Sequence, residues 1–435
     1  MDPFTFQKSK FTTGNALDLF NLAPTEGAEA AAGNYLLISS NKNQLGDPGV
    51  PLRFRIEKGE NFTNLRDSFL YMKLKIVRKD GSPLVAEDKV APSNLLMHSM
   101  FKHVSVRIND HETMELNYLY PYQAWISKQF SSGIGEKTSK MSKEMYYKDT
   151  DPDDFSENNK GFQARMELAK LSTPFEVTGR LCGAMFEQPR YFTNDTVIEI
   201  SLKRSSDEFC LSAAPNATYT DGYKLEILDA EFYVRKPIVE RLTFEQIHRQ
   251  ISKGRSALYP YRNTQVKTYQ LRAGTIVYNS EPSAFKALPD FICFGIVPLK
   301  SYFGALDKSY NNFKPFDLKK IKLIGGDRPI VYEELDFDYE KGQYAMGYNT
   351  ICEAFQERDG GNGIALSEYT KGNTLYAFNT SRINQQTFHL DTNGTLRFLL
   401  EFGGQGLTED ATLIMICKNQ TLMEIEKNNQ VSFDI

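Results

Sequence analysis

Four carboxylates stand close together in the sequence, at Asp149, Asp151, Asp153 and Asp154. Alternating acidic residues begin a calcium-binding loop, in which a glycine makes the sharp turn at the sixth position and a glutamate gives two oxygens at the twelfth. Here Asp154 takes the glycine position and Lys160 takes the glutamate position. The cluster therefore predicts a polar turn and no calcium site.

A glycine-rich segment with a lysine, Gly133–Thr138, has some of the residues of a phosphate-binding loop. Glu136 separates the second glycine from Lys137, and no apolar strand leads into the segment, so the backbone amides of such a loop would not be in place. The segment predicts no phosphate site. A second glycine cluster, Gly403–Gly406, follows an apolar stretch but opens no helix, and we predict a hairpin turn there.

The histidines test the chain for metal chemistry, and there are five of them: His98, His103, His111, His248 and His389. All-β metalloenzymes commonly hold the ion with an H-x-H pair, a carboxylate and a third histidine, and this sequence has no H-x-H pair. It also has no G-x-S-x-G nucleophile motif. We therefore predict no catalytic, cofactor-binding or metal-binding residues, no cofactor and no enzymatic activity. A site assembled from residues far apart in the chain stays an open alternative.

The cysteines are odd in number and far apart: Cys182, Cys210, Cys293, Cys352 and Cys417. None of them forms a C-x-x-C pair, so the sequence indicates neither a disulfide framework nor a zinc site. We expect reduced and mostly buried thiols.

The elements that must position these residues are β-strands, because apolar side chains recur at every second position in both halves of the chain. A strand with one buried face shows this alternation. The predicted strands are Leu52–Ile56, Leu70–Ile76, Val104–Ile108 and Ile198–Leu202 in the first half, and Ile321–Leu323, Leu396–Phe402 and Leu413–Cys417 in the second.

Turn formers and one change of parity refine this prediction. Asp80-Gly81, Asn109-Asp110 and Gly325-Gly326 supply the positive φ angles of hairpin turns. The stretch Tyr223–Val234 begins with Leu225 and Ile227 on one face and resumes with Ala230 on the other parity. We predict one long strand with a bulge at that point.

A chain of 435 residues is too long for one ordinary core, and it predicts two β domains of roughly 200 residues each. The net charge of −4 does not indicate that the chain as a whole binds nucleic acid or an anionic membrane. The start MDPFTFQKSK lacks the apolar core of a secretory signal. The longest apolar runs are far shorter than the ~20 residues of a spanning helix. We expect a soluble chain without membrane insertion.

The predicted organisation is an N-terminal arm at 1–33, a first β domain at 34–238, a linker at 239–263 and a second β domain at 264–435. The strand period disappears at about 118–172, around Trp125, which predicts a partly helical insertion in one loop of the first domain. In the linker, Thr243 and Gln246 have the spacing of a capping box and Gly254 that of a C-cap glycine, so we predict a helix at 243–253.

The linker region also has an excess of positive charge. Only Glu240 and Glu245 oppose its basic residues, which are Arg235, Lys236, Arg241, Arg249, Lys253, Arg255, Arg262 and Lys267. A solvated linker is the simpler interpretation. The alternative is an inward surface that faces DNA or another anionic partner.

The order and wording of many segments resemble one family, the double jelly-roll major capsid (hexon) proteins of Polinton/Maverick elements and their adintovirus relatives. The resemblance covers roughly residues 35–430. The segments that carry it are VAPSNLLMHSMFKHVSVRIND (Val90–Asp110), YPY (Tyr120–Tyr122), YYKD (Tyr146–Asp149), GRL (Gly179–Leu181), ISLKRSSDEFCL (Ile200–Leu211), YKLEILDAEFYVRK (Tyr223–Lys236), YPYR (Tyr259–Arg262), NNFKPFDL (Asn311–Leu318), NGIALSEYTKGNTLYAFN (Asn362–Asn379), LRFLLEF (Leu396–Phe402) and TLIMICKNQTLMEIEK (Thr412–Lys427).

The resemblance implies an all-β fold of two tandem eight-stranded jelly rolls with helical loop insertions and a linker helix. It implies a structural protein whose pseudo-hexameric homotrimers tile an icosahedral shell around double-stranded DNA. The implied partners are other copies of the chain, a single jelly-roll penton protein and packaged DNA contacted without sequence specificity. The insertion at 118–172 would crown the trimer or lock its neighbours, and the arm would tie one capsomer to the next.

The implied location is the virion, after synthesis in the host cytoplasm and with assembly in the nucleus as one expectation. The alternative function is a jelly-roll binding module that recognises a carbohydrate or a receptor without assembling a shell.

Overall fold

The structure is a computed structural model, and it describes residues 29–40, 45, 49–116, 119–214, 222–285, 288–326, 328–330, 332–355, 361–380 and 394–434. Most of the predicted arm, residues 1–28, lies outside the described residues, as does His389. Strand β1 begins at Glu29, inside the range predicted as an arm, and strand β11 begins at Ala257, inside the predicted linker.

The first half of the chain forms two four-stranded antiparallel sheets, ordered β1-β10-β3-β7 and β2-β8-β5-β6, and a short β4-β9 pair. The chain alternates between the two sheets so that strands distant in sequence become neighbours, which is the jelly-roll connectivity. We call this half roll 1. Its strands are β1 (Glu29–Ser39), β2 (Leu52–Ile56), β3 (Asn64–Arg78), β4 (Val90–Pro92), β5 (Phe101–Ile108), β6 (His111–Leu116), β7 (Phe175–Gly179), β8 (Ile198–Arg204), β9 (Leu211–Ala213) and β10 (Tyr223–Val239).

The second half repeats this order in the sheets β11-β20-β14-β18 and β12-β19-β15-β16, with β21 added to β20, β13 to β19 and β17 to β15. We call it roll 2. The predicted fold class, two tandem jelly rolls, is confirmed. The strands are β11 (Ala257–Leu271), β12 (Val277–Asn279), β13 (Ser283–Phe285), β14 (Phe291–Pro298), β15 (Leu318–Gly325), β16 (Arg328–Pro329), β17 (Leu335–Asp336), β18 (Leu375–Asn379), β19 (Gly394–Phe402), β20 (Ala411–Ile425) and β21 (Val431–Asp434).

Helices occur mainly in the connections between strands. We call residues 119–174, between β6 and β7, the first insertion, and residues 337–374, between β17 and β18, the second insertion. No helix in the described part of the chain is long and apolar enough to cross a membrane. The described α-helices are Leu96–Ser99, Tyr120–Ser131, Ile134–Thr138, Lys160–Ala169, Asp207–Cys210, Arg241–Ser252, Leu299–Phe303, Ala345–Phe355 and Leu366–Tyr369, and Lys140–Glu144 and Lys170–Ser172 are 3-10 helices.

Buried and exposed side chains alternate along the strands, as the sequence predicts. In β2, Leu52, Phe54 and Ile56 are buried while the arginines between them are exposed. The same parity holds along β3, where Leu70 and Met72 are fully buried in the core of roll 1. Burial of one face of each sheet against its partner sheet produces a separate apolar core in each roll.

The predicted bulge in β10 is confirmed. The pairing of β10 with β3 shifts register between Ile227 and Asp229, so Leu228 is the extra residue. The Asn109-Asp110 hairpin is also confirmed, because both residues have positive φ and Ile108 pairs with His111.

Two turn predictions need correction. The chain does turn at Asp80-Gly81, where the Arg78 amide donates to the Ser82 carbonyl oxygen, but β3 pairs with β10 and β7 and forms no hairpin with the following β4. Gly403–Gly406 is not a hairpin turn, since β19 and β20 lie in different sheets. A Cβ at position 403 would lie 1.8 Å from Asp317 Oδ2, so a larger residue there would require the Asp317 side chain to move.

The linker helix spans Arg241–Ser252 and begins two residues before the predicted position. Its N-cap is Glu240, and no side chain caps it, so Thr243 lies inside the first turn and the predicted capping box is wrong. The C-terminal prediction is correct: Gly254 has a φ of +86°, and its amide donates to the Ile251 carbonyl oxygen.

The connectivity gives each roll two distinct ends. Strands β10 and β11 flank the linker helix, so that helix lies at the end where β1 begins and β10 finishes. The first and second insertions follow strands that run to the opposite end. We call these the linker end and the insertion end.

Candidate functional site: the joint between the rolls

The acidic cluster at Asp149–Asp154 divides among separate partners. Asp153 forms an ion pair with Lys308 of roll 2 at 3.1 Å and accepts a hydrogen bond from the Ser309 amide. Asp149 forms an ion pair with Arg165 at 3.0 Å. The cluster is thus a turn that contacts roll 2, and the described residues contain no group of three histidine, cysteine or acidic side chains arranged to hold a metal ion.

The glycine-lysine segment forms a five-residue helix, Ile134–Thr138, that buries Lys137. Lys137 Nζ donates a hydrogen bond of 2.6 Å to the carbonyl oxygen of Asn362 in the second insertion. Burial, and next the positive charge of Lys148, lower the pKa of Lys137 to about 7. The lysine is therefore a structural group that joins the two insertions.

His98 is the centre of a buried polar network beneath the first insertion. Its Nδ1 lies 2.8 Å from Tyr120 Oη, and its Nε2 lies 3.3 Å from Glu144 Oε2. The Cys182 amide donates to Tyr120 Oη, which leaves the tyrosine proton for Nδ1, so a neutral imidazole with its proton on Nε2 satisfies every group. Burial lowers the pKa of His98, although Glu144 acts in the opposite direction.

Glu144 holds the 3-10 turn of the first insertion against the helix Tyr120–Ser131. Lys128 Nζ donates to Glu144 Oε1 at 2.9 Å. Burial acts to raise the pKa of Glu144, but hydrogen bonds from His98 and Lys128 and the positive charge of Lys128 hold it below its ordinary value. His98, Glu144 and Lys128 satisfy one another's hydrogen bonds, and the charges of Glu144 and Lys128 balance. The network therefore has a structural role in positioning the first insertion.

The first insertion lies on the outward face of the β11-β20-β14-β18 sheet of roll 2, where the helix Ala345–Phe355 of the second insertion also packs, and we call this contact the joint. Strand β14 is buried along its whole length, so both of its faces are covered. The buried apolar cluster of the joint draws Tyr122, Trp125, Ile126 and Phe130 from the first insertion, and Phe291, Cys293, Val297, Leu375, Ala377, Ile414 and Ile416 from the sheet.

Aromatic rings make the centre of the joint. The ring of Tyr122 in roll 1 lies close to three rings of roll 2. The distances between ring centroids are 5.9 Å to Tyr310, 6.2 Å to Phe313 and 6.1 Å to Tyr302. Trp125, the single tryptophan, lies edge-on to Tyr310 at 6.0 Å. These edge-to-face and stacked pairs add geometric specificity to the burial of apolar area.

Buried polar groups fix the joint in one arrangement. Tyr310 Oη donates a hydrogen bond of 3.0 Å to the carbonyl oxygen of Asn94. The side-chain amide of Asn94 in turn donates a hydrogen bond of 2.8 Å to Asp149 Oδ2. Arg165 Nε donates to the Pro92 carbonyl oxygen. Beside this network is a pocket of about 30 Å³, room for about one water molecule. The joint is therefore built as a contact and offers no substrate cleft at this pocket.

A second contact joins the rolls towards the linker end. Tyr259 of β11 stacks on Phe192 of roll 1 with centroids 4.9 Å apart, and its hydroxyl donates to the Tyr191 carbonyl oxygen. Met423 and Ile425 of β20 belong to the same buried cluster as the core of roll 1. The two rolls thus share apolar interior at both ends.

The basic residues of the linker region divide into paired and exposed groups. Arg241 pairs with Glu245 at 2.9 Å, and Arg262 pairs with Asp290 at 3.2 Å. Lys236 donates to Thr63 Oγ1. Arg249 in the linker helix and Lys253 directly after it are exposed. None of the five cysteines forms a disulfide bond, and all but the half-buried Cys352 are buried.

Sequence reasoning missed the joint, the contact that covers the outward sheet face of roll 2. The sequence did hold a signal for it. Phe291–Val297 and Ala411–Cys417 are continuous apolar runs, which indicate strands that are buried on both faces. What covers the second face could not be read from the runs themselves.

Comparisons with known proteins agree with this architecture. No family model matches the chain. A Caenorhabditis elegans protein, F54H12.2, described as uncharacterized, is 20% identical over 339 residues, which are 75% of this chain and 78% of that protein.

Solved viral structures are similar over both rolls. The cryo-EM structure of the Sputnik virophage matches with a TM-score of 0.65 at 11% identity, covering 98% of this chain and 93% of that chain. The mavirus major capsid protein matches with a TM-score of 0.59 at 10% identity (98% and 95% covered), and the Faustovirus major capsid protein with 0.55 at 10% (93% and 92%). The chain therefore has the double jelly-roll fold of these viral proteins.

Proposed function

We propose that this chain is a major capsid protein whose pseudo-hexameric homotrimers tile an icosahedral shell around double-stranded DNA. The observation that carries the proposal is the likeness to the mavirus major capsid protein, because it spans 98% of this chain and both rolls in one arrangement. The resemblance of the sequence segments to Polinton/Maverick and adintovirus proteins supports the same origin.

The joint supports this function physically. Two rolls that share apolar interior and are linked by the Asp153–Lys308 ion pair form one block, which suits a subunit that must keep its shape in a lattice. The groups singled out for chemistry, including Lys137, His98 and Asp153, have structural contacts, which supports a role without catalysis.

The partners follow from the two ends of the block. In the proposed shell the insertion end faces outward and the linker end faces inward, where exposed Arg249 and Lys253 would contact packaged DNA without sequence specificity. The vertices would be filled by a single jelly-roll penton protein. The proposed location is the virion, after synthesis in the host cytoplasm and assembly in the nucleus.

Light scattering and electron microscopy of the purified full chain test the proposal. We expect a particle with three times the mass of the 49.6 kDa chain, and hexagonal outlines or shells by negative stain. A monomer at every concentration and salt condition would contradict the proposal and favour the alternative of a binding module, which a glycan array would then test.

A further inference from the structure

The linker helix, Arg241–Ser252, lies on the surface of roll 1, and none of its twelve residues is buried. Its apolar stripe recurs at helical spacing but is only half-buried, and consists of Phe244, Ile247, His248 and Ile251. Two rings of this stripe face Phe62 of roll 1, with centroids 5.5 Å away for Phe244 and 6.2 Å away for His248. Short helices depend on tertiary packing for their stability, and this one is only partly covered.

The opposite stripe of the helix is exposed and combines apolar side chains with positive charge. Leu242 is 64% exposed, and Ile238, at the end of β10 just before the helix, is 40% exposed. Arg249 lies two turns after Leu242 on the same side of the helix, and Lys253 continues that side past its end. Glu245 is the one acidic residue of the sequence between positions 241 and 255. The stripe therefore suits an occupant that is apolar and acidic.

Residues 1–28 join the described chain beside this stripe. Strand β1 begins at Glu29, which pairs with Val239 at the end of β10, and the helix begins two residues later at Arg241. A helix of twelve residues is about 18 Å long. The 28 residues before Glu29 are long enough, at up to ~3.3 Å per residue, to reach every part of it.

The sequence of this N-terminal segment complements the stripe in apolar content and in charge. Asn15–Ala23 reads NALDLFNLA, and its large apolar residues are Leu17, Leu19, Phe20 and Leu22. Asp18 lies within this stretch and Glu26 follows it, whereas the lysines of the segment are Lys8 and Lys10, farther from the helix in sequence. The part of the segment nearest the helix is thus apolar and acidic.

We propose that residues 15–28 dock on the exposed stripe of the linker helix of their own chain. Their apolar side chains would cover Leu242. Their carboxylates, Asp18 and Glu26, would face Arg249. The inference concerns the single folded chain and does not depend on the capsid function. In the proposed shell, packaged DNA would compete with the two carboxylates for the basic side chains of the helix.

Hydrogen–deuterium exchange of the full-length chain tests the contact, because the amides of a covered helix exchange slowly. Phe20→Asp, within the docking segment, should speed exchange in peptides from Arg241–Ser252 by about tenfold. Leu242→Asp should in turn speed exchange in peptides from residues 15–28. The matched control is Phe6→Asp, which makes the same change outside the docking segment and should leave both sets of peptides unchanged. Unchanged exchange of the strands of both rolls checks that each variant keeps its fold.

Crosslinking decides which chain supplies the segment. A chain that carries both Phe20→Cys and Leu242→Cys should form a crosslink with a bismaleimide within one chain, identified by mass spectrometry as a linked peptide pair at the mass of a single chain. An equal mixture of the two single variants should give no crosslinked dimer through these positions.

Three outcomes would overturn the inference. Equal exchange of the linker helix in the wild type and in Phe20→Asp would show that the segment does not cover it. A crosslinked dimer from the mixed single variants would assign the stripe to the segment of a second copy. Protection of the helix that appears only after a short DNA duplex is added would assign the stripe to nucleic acid. The capsid function would stand in each case, because its own test is the mass of the assembled particle.

Discussion

Lys137 Nζ and the carbonyl oxygen of Asn362 lie 2.6 Å apart, and this hydrogen bond joins two insertions that are 225 positions apart in the chain. The lysine is buried, and its pKa is lowered to about 7 from an ordinary value of 10.5. A charge that titrates near neutral pH therefore lies inside the joint.

The first prediction concerns pH. Between about 7 and 10.5 the unfolded chain holds a proton on Lys137 that the folded chain has released, so the free energy of unfolding rises with pH in this window. The limit is about 1.4 kcal/mol per pH unit. Relative to Lys137→Met, denaturant unfolding of the wild type should gain about 2 kcal/mol from pH 7 to pH 9. Parallel profiles for the two proteins would reject the prediction, and the exposed Lys58→Met variant is the control.

The second prediction concerns the core of roll 2. Phe398 is 2% exposed and lies 5.0 Å from the Tyr269 ring and 6.2 Å from the Phe294 ring. An unpaired carboxylate there costs several kcal/mol, close to the whole stability of a domain. Phe398→Asp should yield no soluble folded protein, whereas Arg397→Asp, at the exposed neighbouring position, should express normally. Normal melting of Phe398→Asp would show that the strand assignment is wrong.

The third prediction concerns the buried ion pair. The side chains of Arg165 and Asp149 are 1% and 5% exposed and lie 3.0 Å apart. Removing one partner leaves the other charge buried without a counter-charge. Arg165→Met should therefore lower the free energy of unfolding by about 3 kcal/mol. Adding Asp149→Asn should restore part of this loss. The double-mutant cycle measures the coupling, and simple additivity of the two losses would contradict it.

The fourth prediction concerns the approach of the two rolls. Gly372 has a φ of +77°, and a Cβ there would lie 2.3 Å from Pro152 Cγ of the first insertion. Gly342 has a φ of +72° with nothing within 4 Å of such a Cβ. Gly342→Ala should cost about 1 kcal/mol for backbone strain alone, and Gly372→Ala clearly more. Equal melting temperatures for the two variants would mean that the rolls adjust freely at Pro152.

The strands could be predicted from the sequence because their signal is local. The alternation at Leu52–Ile56 gives the bounds of β2, and the parity change after Ile227 gives the bulge. The linker helix was predicted two residues late because Thr243 has the type and spacing of a cap, while the backbone turns into the helix earlier, at Glu240.

The joint could not be predicted because it depends on residues that are distant in sequence. Lys137 is surrounded by polar neighbours in the chain, and only its contact with Asn362 buries it. Gly403 follows a strand as a glycine in a hairpin turn would. However, β19 and β20 pair with other strands in two different sheets, and those partners are distant in sequence. Local pattern identifies an element, and long-range contacts decide its neighbours.

The order of the joint along the chain has a consequence for synthesis. A ribosome releases residues 119–174 before it makes β14 and β20, so the part of the cover that the first insertion supplies emerges ahead of the sheet that it shields. A nascent chain with the reverse order would display β14, apolar on both faces, with nothing to cover it, and such surfaces aggregate. Because synthesis runs from the N-terminus to the C-terminus, β14 can pack on the first insertion as soon as it leaves the exit tunnel.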